Sequence, residues 1–300
     1  MRGLGLALGL LAAAALPGST GGAAGPSPAA ASRSLRVMSA NLCTDQLVLA
    51  LLPPERITSV TWLSRDPGTS LMAAEARRVG VNHGLAEEVI REKPDLVVTS
   101  PFSTPALRGM LARLHYPMIE VDAANSFDDI RRVTRQVAAA VGETARGEAL
   151  IAEMDRQLAM LASEPHATWR VAAWDRIGFG AGKGTLQGAV FEAAGAHNIA
   201  ADPPASGYGR PDAEVLLEAA PPLLVQGAPG VRAPSLGDDV EQHRVIRRFW
   251  TRQGRLLNIP QAYYVCGTPR IADAVHLLRE QMRAAAAEAR TPLPFAGTRQ

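Results

Sequence analysis

Very little in the 300 residues is arranged for making or breaking bonds. There is no G-x-S-x-G elbow, no H-E-x-x-H and no C-x-x-C pair. The six histidines, His83, His115, His166, His197, His243 and His276, stand singly. A zinc or manganese centre needs several imidazoles or carboxylates converging on one point, so neither a catalytic set nor a metal-ligand set is read. The glycine-rich stretch Ile177–Thr185 (IGFGAGKGT) fails as a nucleotide phosphate loop. That motif needs G-x4-G-K-[ST], whereas position 177 is Ile and Gly184 follows Lys183. It reads instead as a flexible loop at a strand end that presents Phe179 and Lys183. What remains is binding chemistry. Trp62, Arg65, His83, Phe102, Trp174, Arg176, Phe179, Lys183, Tyr208 and Arg210 fall on loops expected at strand ends, with core packing the competing reading for Trp174 and Phe102. Aromatic rings give broad apolar contact and tolerate a polar edge, and guanidinium forks capture carboxylate, catecholate or phosphate oxygens. Such a lining suits a large, partly planar, partly anionic ligand.

The elements that must hold these loops are announced by a repeat. Ala86–Val98 (AEEVIREKPDLVV) and Ala213–Val225 (AEVLLEAAPPLLV) align without a gap, with Glu87 seven residues before Pro94 and Glu214 seven residues before Pro221. Each copy predicts a short amphipathic helix, a proline that ends it, and an apolar run of the length and composition of a buried parallel strand. Upstream, Asp45–Ile57 resembles Leu186–Ile199 more loosely. Two copies of one unit predict two lobes of similar build.

Strand–helix alternation fills both halves. In the first, strands are expected at Leu35–Ser39, Ile57–Thr61 and Met118–Val121, and helices at Thr44–Leu52 (capped by Thr44), Glu75–Val79 and Leu107–Leu114. In the second, Arg170–Trp174 and Gln261–Val265 are expected strands, Arg247–Gln253 a basic turn or helix, and Ala272–Glu288 a closing helix. Between the halves, Ser126–Ser163 keeps an apolar face on both sides of Gly142 and reads as one long helix joining the lobes. The fold class is therefore α/β, two Rossmann-like lobes with parallel sheets joined by one connector helix. Ligands of such sheets bind beyond the carboxyl ends of the strands. The expected divisions are residues 35–125, 126–163 and 169–288, with a disordered tail over 289–300.

Met1–Ala31 carries Arg2, an uncharged apolar run over Leu4–Leu16, and small-residue cleavage options, the pattern of an export signal. No cysteine follows it closely enough for a lipid anchor, and no later apolar run reaches the length of a membrane span. Lys+Arg 31 against Asp+Glu 29 argues against nucleic acid as partner. Cys43 and Cys266 lie at opposite ends of the chain, in a compartment that permits disulfides; one bridge between the halves and two separate thiols are both open.

Taken together, the export signal, the two lobes, the long intervening helix and the E-x6-P-[DP]-L-[LV]-V unit in each half resemble the periplasmic binding proteins of ABC importers. The closing P-R-x-x-D-A-x-x-x-L of Pro269–Leu278 adds to the likeness. The subgroup resembled carries metal chelates (vitamin B12, ferric siderophores or haem), and the vitamin B12-binding type is nearest. The resemblance implies the class III two-lobe fold and a periplasmic, monomeric, non-enzymatic solute binder. It also implies a cobalt or iron chelate as cargo rather than a resident cofactor. Ligand contacts would come from Trp62, Arg65, His83, Trp174, Phe179, Lys183, Tyr208 and Arg210, with Tyr208 where the B12 binder carries tryptophan. The resemblance makes Glu87 and Glu214 the acids that pair with arginines on the two permease subunits. The alternative is an exported chelate-processing enzyme, a chelatase or cobamide hydrolase, using His83 with Asp66 or Glu88.

Overall fold

Runs of two to seven residues, apolar in the central strands, become strands, and the segments between them carry the helices. In the computed structural model, residues 34–175, 178–179, 182–199, 202, 213–227 and 243–296 are described. The first sheet has the order β3-β2-β1-β4-β5, all parallel, from β1 (Val37–Ser39), β2 (Ile57–Thr61), β3 (Gly80–Asn82), β4 (Leu96–Thr99) and β5 (Met118–Glu120). The second has β6 (Trp169–Asp175) at its centre, flanked by β8 (Ala196–Asn198) and β9 (Leu223–Gln226). The strand β10 (Leu256–Asn258) lies beyond β9. These four are parallel; the short β7 (Gly178–Phe179) folds back antiparallel on β6. Each sheet with its helices is called a lobe below, and both belong to one compact unit, Leu35–Gln300.

The sequence repeat is a repeat of structure. β2-β1-β4-β5 superposes in order on β8-β6-β9-β10, and the repeated unit supplies α3 (Ala86–Glu92) before β4 and α8 (Ala213–Ala219) before β9. The looser match pairs α1 (Leu42–Leu51) with α7 (Leu186–Ala194), each following the central strand of its sheet. The correspondence reaches single atoms. Lys93 and Ala220, the residues before the two prolines, both take left-handed backbone angles (φ 49 and 43). Proline disfavours the right-handed helical region for its predecessor, so the chain leaves each helix through the left-handed one. The carbonyl of Pro94 then accepts from the Tyr116 hydroxyl at 2.6 Å, and that of Pro221 from Trp250 Nε1 at 2.9 Å.

Several expectations are corrected. Residues 126–163 are not one helix but a hairpin of α5 (Phe127–Ala140) and α6 (Thr144–Ser163). Gly142, at φ +76, turns the chain, and Arg56 pins the corner by ion-pairing with Glu143 and donating to the Val141 carbonyl. The two helices then zip antiparallel through Arg131–Asp155 and Arg135–Glu148. Gly147 permits the close approach, since a Cβ there would lie 2.5 Å from that of Ala138. At the far end of α6, buried Arg279 donates to the terminal carbonyls of Leu161 on α6 and Ala193 on α7, which ties the hairpin to the second lobe. The cap of α1 is Asn41, which accepts from Cys43 N at 2.9 Å, while the Thr44 hydroxyl turns to Ser39 Oγ. Gln261–Val265 is not a strand: Pro260 interrupts it, Gln261–Tyr263 is a 3-10 turn, and Leu256–Asn258 takes the sheet position. The stretch from 289 to 296 is ordered, because Leu293 is buried and Phe295 meets Phe249 edge-on at 5.0 Å over Trp250. The leader Met1–Ala31 lies outside the described residues.

Candidate functional site

Parallel strands deliver their carboxyl ends, and the loops after them, to one rim of each sheet. On the first sheet, consecutive loops carry Trp62 after β2, His83 and Leu85 after β3, and Phe102 after β4. The three apolar side chains are 54%, 51% and 76% exposed, unusual for large apolar groups and grouped on one rim. The loops are held rigidly from below. Thr104 Oγ1 donates to the Gly84 carbonyl at 3.1 Å, joining the β4 loop to the β3 loop, and Ser103 Oγ donates to Ala40 O at 2.9 Å, joining it to the end of β1. Phe102 was assigned to this rim or to the core by sequence; its 76% exposure puts it on the rim.

His83 stands among them with its side chain 61% exposed. Its orientation comes from Glu88, in the first turn of α3. Glu88 Oε2 accepts from the backbone N–H groups of His83 (2.8 Å) and Leu85 (3.0 Å), and Oε1 lies 3.3 Å from His83 Nδ1. Burial pushes the Glu88 carboxyl up, but the Leu85 and His83 donors outweigh it and hold it below the usual carboxylate range. Nδ1 is thus engaged and the Nε2 edge of the ring is turned to solvent. The His83–Asp66 dyad does not form, because Asp66 Oδ1 accepts from Gly68 N in its own turn. The His83–Glu88 contact does exist, with Glu88 also committed to the start of α3.

Beneath the rim, Asp45 on α1 is fully buried and accepts from Thr61 N (3.0 Å), Thr61 Oγ1 (2.5 Å) and Ser64 Oγ (2.6 Å). Burial raises its pKa to about 6, against the opposing hydrogen bonds of Ser39, Ser64 and Thr61. It fixes the turn from β2 into Trp62–Arg65.

Other expected contacts are redirected. Arg65 does not reach for a ligand: Nε and Nη2 donate to the Ala76 and Val79 carbonyls (3.3 and 2.8 Å), so its charge closes the end of the helix Ala73–Ala76. Trp174 is 2% exposed and packs with Leu216, Leu224 and Trp250 in the core of the second lobe, which removes it from the lining. Lys183 is exposed in the turn before α7. Phe179 pairs with Trp174 through the backbone of the β6–β7 hairpin. Tyr208, Arg210 and Arg176 lie outside the described residues. Glu87 and Glu214 are both exposed in the first turns of α3 and α8, the equivalent place in each lobe.

Of the two alternatives the sequence leaves open for the cysteines, the bridge between the halves is the one that forms, through the segment after β10. Cys266 forms a disulfide with Cys43, Cα–Cα 5.0 Å, so the first turn of α1 is bonded to the second lobe. The flanking residues follow it across. A Cβ on Gly267 would sit 2.5 Å from Ala124 Cβ, and Arg270 Nη1 donates to Leu71 O at 3.2 Å. Half-buried Tyr263 and Tyr264 precede this strap, with the Tyr264 hydroxyl against Gly227 at the end of β9. The signal lay in the pair Gly267–Thr268 before Pro269: small residues where two backbones meet.

A family model described as "Periplasmic binding protein" matches residues 37–250. Among curated proteins, a cobalamin-binding protein of Halobacterium salinarum is 33% identical over 170 residues, 53% of this chain. The match spans 46% of that relative, a little under half its length. Among solved structures, a periplasmic heme-binding protein from Roseiflexus sp. RS-1 superposes with TM-score 0.68 at 21% identity, covering 84% of this chain and 99% of that one. The periplasmic vitamin B12-binding protein of Vibrio cholerae gives 0.62 at 17%, covering 84% and 97%. An Fe3+-hydroxamate transport protein from Saccharomonospora viridis gives 0.60 at 18%, covering 83% and 93%.

Proposed function

This chain belongs to the periplasmic binding protein family, and from that premise we propose that it captures a metal chelate (a corrinoid, a heme or a ferric siderophore) at its strand-end rim and delivers it to an ABC importer. The observation that carries the reading is the exposed apolar set Trp62, Leu85 and Phe102 around the oriented His83 ring. Broad apolar surfaces with one polar handle suit a macrocycle or a wrapped chelate better than a sugar or an amino acid, which need dense hydrogen bonding. The names of the proteins above, a cobalamin-binding protein, a heme-binding protein and an Fe3+-hydroxamate transport system, support the same class of cargo. The metal is part of the cargo. Met1–Ala31 serves in this reading as the export signal, and among the described residues no helix is long and apolar enough to cross a membrane. A thermal-shift panel of corrinoids, heme and ferric siderophores identifies the ligand, which should raise the melting temperature with the logarithm of its excess over the dissociation constant. Trp62→Ala and Phe102→Ala should each weaken its binding several-fold, about 1 kcal/mol or more per stacking ring. A panel without a single shift would sink the chelate reading.

A further inference from the structure

The helical segment between β9 and β10 is built with two sides. It starts as Arg244–Ile246 and continues as a π-turn, Arg247–Thr251. Ile246 and Trp250 are 1% and 0% exposed and join the core of the second lobe, with Val245 and Phe249 packed partly beside them. The opposite side carries Arg244, Arg247, Arg248 and Arg252, all exposed. Among the described residues none of the four has an ion pair or a hydrogen-bonded side-chain partner; Arg248 lies 5.3 Å over the Phe249 ring. No acidic residue stands in the first turn to offset them. The contrast with the first lobe is direct. There the segment between β4 and β5, helix α4 (Pro105–Arg113), has its Arg108 neutralised by Glu120 at 2.9 Å. In a chain of net charge +2, four of the positive charges fall within these nine residues.

A convex row of unpaired guanidinium groups does not converge on one point, as a pocket for a small anion must. It matches a flat array of phosphates, each able to take a bidentate fork. We propose that this arginine face binds the phosphate-bearing surface of an anionic lipid bilayer, holding the second lobe against the membrane. The inference rests on the extracytoplasmic family assignment and not on the identity of the cargo. It also makes the two lobes unequal: both present an acid at the start of the repeated helix, and only the second carries the membrane contact.

The test is co-sedimentation of the purified full chain, without ligand, with vesicles of phosphatidylcholine alone or mixed with phosphatidylglycerol. Binding is expected to the anionic vesicles only and to fall steeply with added salt, since each arginine at a charged surface is worth roughly a five-fold gain. Arg247→Gln/Arg248→Gln should lower the partition at least about ten-fold. Arg78→Gln/Arg113→Gln removes the same charge from exposed arginines elsewhere and should leave it unchanged. Equal loss in both double variants would reduce the effect to net charge and overturn the proposal. So would equal binding to neutral vesicles. Retention by inorganic phosphate at the concentration of lipid phosphate, with no vesicle binding, would reassign the face to a soluble anion.

Discussion

Asp45 is the residue whose burial has the clearest energetic consequence. Its carboxyl goes from an ordinary 3.8 to about 6 on folding, so the folded state holds the proton more tightly than the unfolded one. The resulting stability is fully present below about pH 4 and is lost as the pH rises through about 6, on the order of 3 kcal/mol in all. Denaturant unfolding at about pH 4.5 and about pH 7 should therefore show the protein less stable at the higher value as far as this group is concerned. Asp45→Asn should flatten that part of the slope; an identical slope in the variant would show that other groups set it. Glu88 works in the opposite sense and costs stability only as the pH falls through its lowered pKa. At this scale the sequence was informative about loops and poor about orientation. The placement of Trp62 and His83 on strand-end loops was legible because an apolar run followed by an aromatic or histidine is visible in the letters. Trp174 was not separable from them, because both faces of β6 are buried and its alternation carries no inside–outside signal. The inward turn of Arg65 depends on two carbonyls that only the folded chain brings within reach.

The element that repeats is the best-read part of the molecule, and its design can be probed through one carbonyl per lobe. Tyr116→Phe leaves Pro94 O without its donor and should cost about 1 kcal/mol, since the hydroxyl is only partly screened by water. A calorimetric melting temperature unchanged from the wild type would mean that water replaces the tyrosine at no cost. The gap-free repeat was legible because proline, the left-handed residue before it and the apolar strand are all local requirements. The α5–α6 hairpin was not. Apolar periodicity resumes after Gly142, so one bent helix and two antiparallel helices share a pattern. The decision is made by Arg131–Asp155 and Arg135–Glu148, pairs more than a dozen residues apart. For the same reason Leu293 and Phe295 looked like tail until Trp250 was seen beneath them.

For the whole molecule, the outcome turns on how the lobes are coupled to each other and to a membrane partner. Removing the bridge by Cys43→Ser/Cys266→Ser frees a loop of 223 residues. It should lower stability by about 5 kcal/mol in the chain-entropy description. Circular-dichroism melts of the variant and of the reduced wild type should agree; a variant as stable as the oxidised protein would show that the non-covalent contacts, Gly267 on Ala124 and Arg270 on Leu71, hold the strap. Glu87→Ala and Glu214→Ala, by contrast, touch only exposed helix starts. They should leave folding and ligand affinity nearly intact, impair stimulation of the importer's ATP hydrolysis, and be worst in combination. Lost affinity with normal stimulation at saturating ligand would assign these acids to the binding site instead.

The disulfide also imposes an order on biogenesis. Its partners are the only cysteines in the chain, one near the start of the folded unit and one close to its end. During synthesis the first thiol emerges 223 residues ahead of its mate. Throughout that interval its only possible partners belong to other molecules. The closed bond thus reports that synthesis has passed Cys266: a chain truncated before that residue cannot form it and keeps Cys43 as a thiol.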